Sequence, residues 1–401
     1  MVIVAFAVLT WFAFLADGLA TYVSLKSHGY YGSYQTEMFG LYGNTLEPKE
    51  LADFDIPGKL ADINTEVDAK GLIKNEPAFA KYGISDMYEY EYWRASNEEF
   101  WNEIETGTEK HEEVMEDLGI MERVLSEQSD TQTLEEWFAS PELRWGNLHA
   151  LENRYANHDY HRTYFVESQE RPVVARAGAK ILERGNNSLI PYHLPDVFSL
   201  SAAVTAVFAV VAVIILITPP LITDRSRKIQ LLQYSSAVGR KILRIQFLAA
   251  IVSAFAMSLL LMVLFLAPLV LSAAEYLETS IFHGNVTWVW LYDITFGTFA
   301  LILAGMIVLL CVGAACVAFI LARFSNNIVT LMVKTVPAGA ALATVAALTV
   351  NMALADWNYV FNSVFHGRVD MPEVMLCGTV LVLGVLAAVL VLKREKCVDV
   401  V

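Results

Sequence analysis

The chain offers few side chains in the spacings that catalysis or metal binding requires. His158 and His161 stand three residues apart, so both imidazoles could face one way on a helix, but a zinc site needs further ligands. The sequence contains no Gly-x-x-x-x-Gly-Lys-Ser/Thr loop for nucleotide phosphates, no His-Glu-x-x-His pair and no Gly-x-Ser-x-Gly turn. We therefore expect solvated histidines, no metal site and no catalytic residue, so the chain is predicted not to be an enzyme.

Two polar residues lie within stretches that are otherwise apolar. Asp17 falls inside the first such stretch, and Asn351 lies near the end of a later one. Carboxylates at membrane depth usually face a cavity or a partner, because exposure to lipid is costly. For Asp17 two interpretations stay open: its side chain lines a transport pathway, or it lies at the interface between the hydrocarbon and the lipid headgroups. For Asn351 a helix–helix hydrogen bond is expected rather than contact with a substrate.

Six apolar runs are long enough to cross a bilayer, which takes roughly 20 mostly apolar residues. They lie near 2–24, 197–220, 243–271, 292–322, 336–355 and 374–392. The predicted fold class is an all-α polytopic membrane protein with six transmembrane helices. The predicted parts are a first transmembrane helix at 1–24, an outer domain at 25–196, a second helix at 197–222, a loop at 223–242, four further helices at 243–392 and a tail at 393–401.

Charge is distributed very unevenly along the chain. Residues 26–196 contain 33 acidic and 16 basic residues, a net charge of −17, whereas the whole chain carries −15. An acidic, soluble-looking domain is thus inserted into a nearly neutral and very apolar frame. Nucleic acid is not expected as a partner, because its binding depends on contacts of Lys and Arg with phosphate.

Basic residues in the short loops predict the orientation. The short loops on one side of the membrane carry eleven basic residues, and those on the other side carry Arg368 alone. The eleven are Arg225, Arg227, Lys228, Arg240, Lys241, Arg244, Arg323, Lys334, Lys393, Arg394 and Lys396. Both termini are therefore expected in the cytoplasm, and 25–196 is expected outside a bacterial plasma membrane that the chain crosses several times.

The acidic domain is expected to be mainly helical. Apolar residues in 98–127 recur on one helix face. Ser140-Pro141 predicts a helix start, with apolar positions continuing to Tyr155, and Pro172 predicts another start, with Gly185 as its stop. Residues 28–90 have weak periodicity and are interpreted as loops, short helices and a few strands.

Small residues recur in two of the apolar runs. Gly339, Ala343 and Ala347 repeat every four residues, and Gly297, Gly305 and Gly313 mark the run before. Small side chains allow helices to approach closely in lipid, which supplies no hydrophobic drive for association. Close helix packing, within the chain or across a dimer, is the expected role, and a transport path along these faces is the alternative.

The loop after the second run is basic and amphipathic. From Thr223 to Arg244, apolar residues such as Leu231, Leu232 and Ile242 alternate with basic and polar ones. Composition alone favours an ordinary positive-inside loop lying on the membrane surface. Docking of this loop to a soluble cytoplasmic partner is the other interpretation.

The order of residues in this loop resembles that of a known family. An acidic residue, a basic cluster, a Leu-Leu step, a serine turn and an arginine follow one another, as in the membrane subunit of type 2 ABC exporters, which have the six-span type V fold. The matching residues are Asp224, Arg225, Leu231, Leu232, Ser235, Ser236 and Arg240. The resemblance covers about half of the chain.

This resemblance implies partners as well as a function. The loop would be a coupling helix that contacts a cytoplasmic ABC ATPase dimer, and ATP and Mg would bind to that ATPase, with no cofactor on this chain. A second permease, a copy or a relative, would complete a substrate path through membrane lipid. Two alternatives remain: a membrane receptor or sensor that uses its outer domain, and a four-span ABC-like protein that transmits mechanical force.

Overall fold

The computed structural model describes the chain in segments. These are residues 32–94, 109–127, 133, 136–137, 139–155, 172–184, 187–191, 194–226, 239–282, 290–355 and 371–397. Within them the regular structure is helical, and β pairing is limited to three isolated bridges. The predicted first span with Asp17, the histidine pair and residues 227–238 lie outside the described part of the chain.

The described residues fall into two compact units. We call the described part of 32–155 with 187–191 the acidic unit, and the described part of 172–184 with 194–397 the membrane unit.

The helices of the acidic unit include six within the described segments. They are α1 (Gly32–Tyr42), α2 (Pro48–Phe54), α3 (Ile56–Lys70), α4 (Pro77–Lys81), α5 (Glu109–Leu125) and α6 (Pro141–Tyr155). Helices α3 and α6 pack together, and Leu60, Ile63, Leu148 and Leu151 are buried in the core of the unit. Apolar residues spaced about one helical turn apart on both helices therefore give the unit a core of its own.

Proline and glycine set several helix ends in this unit. Pro141 begins α6 as predicted, because proline has the helical φ angle and its missing N–H is not needed in the first turn. Gly71, at φ 67°, ends α3 in the left-handed conformation that glycine adopts readily. The strands expected in 28–90 are not found in its described part, where the single β contact is the bridge from Thr45 to Ser188.

The membrane unit contains the remaining helices. They are α7 (Pro172–Arg184), α8 (Leu194–Ser226), α9 (Gly239–Phe265), α10 (Ala267–Ser272), α11 (Phe296–Arg323), α12 (Ile328–Val350) and α13 (Pro372–Cys397). Among the described residues five helices are long and apolar enough to cross a membrane, namely α8, α9, α11, α12 and α13. Helix α11 packs against each of the other four. Helix α7 begins at Pro172, as predicted from the sequence.

Each of these five spanning helices begins or ends away from its predicted bounds, and in three of them the structure shows a local cause. Helix α12 begins eight residues earlier than expected, because the Asn327 side chain accepts a hydrogen bond from the Thr330 amide at 2.8 Å and caps the helix. Thr295 caps α11 in the same way, through the Thr298 amide at 3.3 Å, so that span begins at Phe296 rather than 292. Helix α9 ends at Phe265, because Pro268 lies in the first turn of α10.

The predicted close packing of helices at small residues is confirmed at Gly313. A Cβ atom on Gly313 would lie 2.8 Å from Val380 Cγ1, so α11 and α13 cross with little space between them. A Cβ atom on Gly339 would lie 3.4 Å from Ile214 Cδ1, an ordinary van der Waals distance, so α12 and α8 are not unusually close there. Gly305 has no atom within 4 Å of such a Cβ and therefore makes no close approach.

Candidate functional site

Three spans are joined at one end by a polar network made of Asp224, Gln246 and Arg323. Gln246 Nε2 donates to Asp224 Oδ2 at 3.0 Å, and the Arg323 guanidinium donates to Gln246 Oε1. The amide can satisfy both charged neighbours in this orientation, because its NH₂ faces the carboxylate and its oxygen faces the guanidinium. The network therefore connects the end of α8 to the start of α9 and the last turn of α11.

Arg323 is the most deeply buried member of this polar network. It is 7% exposed, and its guanidinium carbon lies 5.3 Å from the centre of the Phe319 ring. Phe247 of α9 packs against the same ring at 5.1 Å. A buried cation is tolerated when it is paired and hydrogen-bonded, and the C-terminal end of a helix favours positive charge. Packing and charge thus both hold this arginine in place.

Residues of the polar network stand near both ends of the basic, amphipathic loop 223–242. Asp224 is close to the end of α8, and Gln246 lies in the second turn of α9. Both ends of the loop are therefore connected through side chains to α11. A displacement of the loop would act on α11 directly, as well as through the covalent chain.

The residues predicted for coupling are only partly within the structure. Asp224 belongs to the polar network, while the backbone of Arg225 lies in α8 and that of Arg240 in α9. Leu231, Leu232 and Ser235 lie outside the described residues. Gln246 and Arg323 were not selected from the sequence as site residues. An arginine at the very end of a long apolar run was the available signal for one of them.

A cleft lies between α8 and α12. Its volume is about 340 Å³. Its lining consists of Val211, Ile214, Ile215, Thr218, Pro219, Ile222, Ile328, Leu331, Met332, Thr335, Val336, Gly339 and Ala340. Apart from the two threonine hydroxyls, the side chains of this lining are apolar. The cleft can therefore accept an apolar group but offers few polar contacts.

The other predicted pathway residue, Asn351, lies at the C-cap of α12. Its side chain is exposed, and its backbone N–H donates to Ala347 O. The polar contact between α8 and this end of α12 comes instead from Ser199, which is fully buried. The Ser199 hydroxyl donates to Val350 O at 3.1 Å and accepts from the Met352 amide at 2.7 Å.

The described residues contain no group of three or more His, Cys, Asp and Glu side chains that could hold a metal ion. Cys311, Cys316 and Cys377 are buried and free within the apolar spans. The arrangement as a whole links the ends of three helices through the polar network and leaves room for an apolar group in the cleft. Comparison with protein-family models, with curated proteins and with solved structures finds no match to this chain.

Proposed function

We propose that this chain is the permease subunit of an ATP-driven ABC exporter. In this proposal the loop 223–242 docks onto a cytoplasmic ABC ATPase dimer, which binds ATP and Mg. The spans of this chain and of a second permease, a copy or a relative, form the path through the lipid. Both termini lie in the cytoplasm of a bacterial cell, and 25–196 lies outside its plasma membrane.

The polar network is the observation that carries this proposal. A loop that merely joins two spans needs no buried charged link to a third span, and burying Arg323 is costly unless it is paired. The network brings the ends of the loop to α11, which packs against the four other described spans. Movement of the loop by an ATPase would therefore reach the centre of the membrane unit.

Helix α12 supports the presence of a second permease. It has the lowest mean hydropathy of the five described spans and is also the least buried of them. A helix that faced lipid on most of its surface would be expected to be among the most apolar. Contact with another permease, or with a polar path between two permeases, would explain why this helix is more exposed and less apolar than the other four.

Two other functions fit these observations less well. A four-span ABC-like protein that transmits force would have fewer spans than the five candidates already described. A receptor or sensor would need a route from the acidic unit to a cytoplasmic signalling partner, and the short cytoplasmic segments of the predicted topology offer little surface for one. The exporter remains the function that the polar network supports best.

Co-purification tests the proposal. The full chain would be affinity-purified in mild detergent from its native cells, and an ABC ATPase would be identified by mass spectrometry. We expect Leu232→Asp to remain inserted and to lose the ATPase, because a carboxylate would disrupt an apolar contact in the docking loop. Val398→Asp, in the predicted cytoplasmic tail, serves as the matched control and should retain it. Unchanged recovery with Leu232→Asp would exclude this docking site.

A further inference from the structure

Two helix ends of the membrane unit contain strained backbone. Among its described residues, three that are not glycine have a positive φ angle: Met352 at 51°, Leu354 at 66° and Met371 at 46°. This left-handed region is unusual for long side chains, and it disfavours a residue with a Cβ atom by about fivefold or more. Met352 and Leu354 follow α12, and Met371 directly precedes α13.

The residue types at these positions increase the strain. In the acidic unit, the left-handed residue at the end of α3 is Gly71, at φ 67°, and glycine adopts this conformation without a steric cost. The membrane unit has methionine and leucine instead. Met371 also precedes Pro372, and a proline favours extended backbone in the residue before it. The strained conformations are therefore imposed by the surrounding structure.

Hydrogen bonds from the short segment 290–293 hold two of the strained residues. The Leu291 N–H donates to Leu354 O at 2.9 Å. The Met371 N–H donates to the Tyr292 hydroxyl at 2.7 Å. One segment thus connects the end of α12 to the start of α13. We call the group made of 290–293, 352–355 and Met371 the clasp.

The clasp is fixed to two further helices. Trp290 is 1% exposed, forms an isolated β-bridge with Ala355, and packs edge-to-face on Phe299 of α11 at 5.0 Å between ring centres. The Met352 N–H donates to the Ser199 hydroxyl of α8 at 2.7 Å. Strained backbone persists only where its surroundings over-determine it, and such places are common in switch regions. The clasp therefore joins the ends of four spans.

A buried thiol lies next to the clasp. Cys377 of α13 donates to Thr349 Oγ1 of α12 at 3.6 Å, and both side chains are fully buried. Thr349 stands three residues before Met352, the first residue of the clasp after α12. A water-soluble reagent would reach Cys377 from this end of the unit when α12 and α13 separate there. The clasp and the polar network stand at opposite ends of the unit, because α12 begins close to Arg323 and ends at the clasp.

We propose that the clasp is a conformational switch. At rest its hydrogen bonds hold the ends of α8, α11, α12 and α13 together. The backbone strain that it stores favours release, and release opens this end of the membrane unit to water. Describing the clasp as the outer gate of a transport path rests on the proposed exporter function, whereas the switch itself does not.

Thiol labelling of the full chain in lipid nanodiscs, with no ATPase added, tests this inference. The probe is a methanethiosulfonate that carries a trimethylammonium group and does not cross lipid. Mass spectrometry of the peptide that contains Cys377 gives the rate of labelling, which follows the open fraction of the clasp. Hydrogen exchange of 290–295 is the second readout, because the Leu291 amide is bonded within the clasp.

Glycine and alanine variants at one position isolate the strain, because alanine keeps the Cβ atom and glycine does not. We expect labelling of Cys377 to be about fivefold slower in Met352→Gly than in Met352→Ala, with slower hydrogen exchange of 290–295. Met371→Gly and Met371→Ala form an independent pair with the same expected order. Leu348→Gly and Leu348→Ala are the matched control, because Leu348 lies within α12. Glycine has no advantage inside a helix, so Leu348→Gly should label at least as fast as Leu348→Ala.

Tyr292→Phe tests the clasp in the opposite direction. It keeps the ring but removes the acceptor of the Met371 amide, so labelling of Cys377 should be about fivefold faster than in the parent chain.

Three results would overturn the inference. They are labelling of Met352→Gly as fast as that of Met352→Ala, a labelling rate that Tyr292→Phe leaves unchanged, and no labelling of Cys377 in the parent chain or in Tyr292→Phe. Because no ATPase is present, any of these results leaves the exporter proposal standing. Conversely, loss of the docking result would leave a positive labelling result intact.

Discussion

Replacing Gln246 by leucine is expected to destabilise the membrane unit, because this amide joins the two charged members of the polar network. The substitution removes a hydrogen bond to the Asp224 carboxylate and another from the Arg323 guanidinium. A hydrogen bond to a charged group contributes about 1.5–3 kcal/mol. Neighbouring contributions are not additive, so we expect a loss of about 2–4 kcal/mol.

Most of this loss should come from Arg323, which is 7% exposed, since a buried charge that loses its partner is costly. The free energy of unfolding would be measured by titrating the full chain from mild detergent into SDS. Ile245→Leu is the control on the same helix; its side chain is 63% exposed, and the change should stay within about 0.5 kcal/mol.

A double-mutant cycle locates the cause of the change. If Gln246 acts through Arg323, the loss caused by Gln246→Leu should be at least about 1 kcal/mol smaller in an Arg323→Met background. A Gln246→Leu variant as stable as the parent chain would refute the energetic argument. Strictly additive effects would show that the two side chains do not act on each other.

Further predictions concern helix packing and the acidic unit. Gly313→Val should cost about 1–3 kcal/mol in the same SDS titration, because its Cβ meets Val380, whereas Gly305→Val should not destabilise the chain. Ser199→Ala should cost about 1–3 kcal/mol, because the partly buried Met352 amide loses its acceptor. Burial raises the pKa of Glu142 to about 7. The folded state therefore binds this proton more tightly than the unfolded state, and the stability of the acidic unit should fall between about pH 4.5 and 7, by on the order of 3 kcal/mol. Glu142→Gln should remove this fall in hydrogen exchange of α6, and an unchanged pH profile would contradict the assignment.

The existence of the spans could be predicted from the sequence, whereas their ends could not. Length and hydropathy are local properties, so all five predicted runs within the described part of the chain coincide with helices that could cross a membrane. The ends depend on single capping side chains. Asn327 caps the start of α12 within a stretch that hydropathy alone assigns to a loop. The polar residues in the first turns of α12 lower the local hydropathy, so the start of the helix is not apparent from the sequence.

The polar network and the cleft depend on tertiary packing and were therefore not predicted. Gln246 and Arg323 are 77 residues apart in the chain, and nothing near either residue identifies its partner. The position of Asp224 in the loop marks it as a candidate in the sequence, but its hydrogen bond to Gln246 cannot be predicted from that position.

The most direct test of the central claim is a covalent contact between the loop and an ATPase. A photoreactive amino acid would replace Leu232 in the full chain, and irradiation in intact cells would be followed by mass spectrometry of the adducts. We predict an adduct with a protein that carries a nucleotide phosphate-binding loop and an ABC ATPase sequence, and no such adduct when the same group replaces Val398. Adducts with lipid alone, from cells in which the chain is active, would contradict the claim that an ATPase drives this protein through that loop.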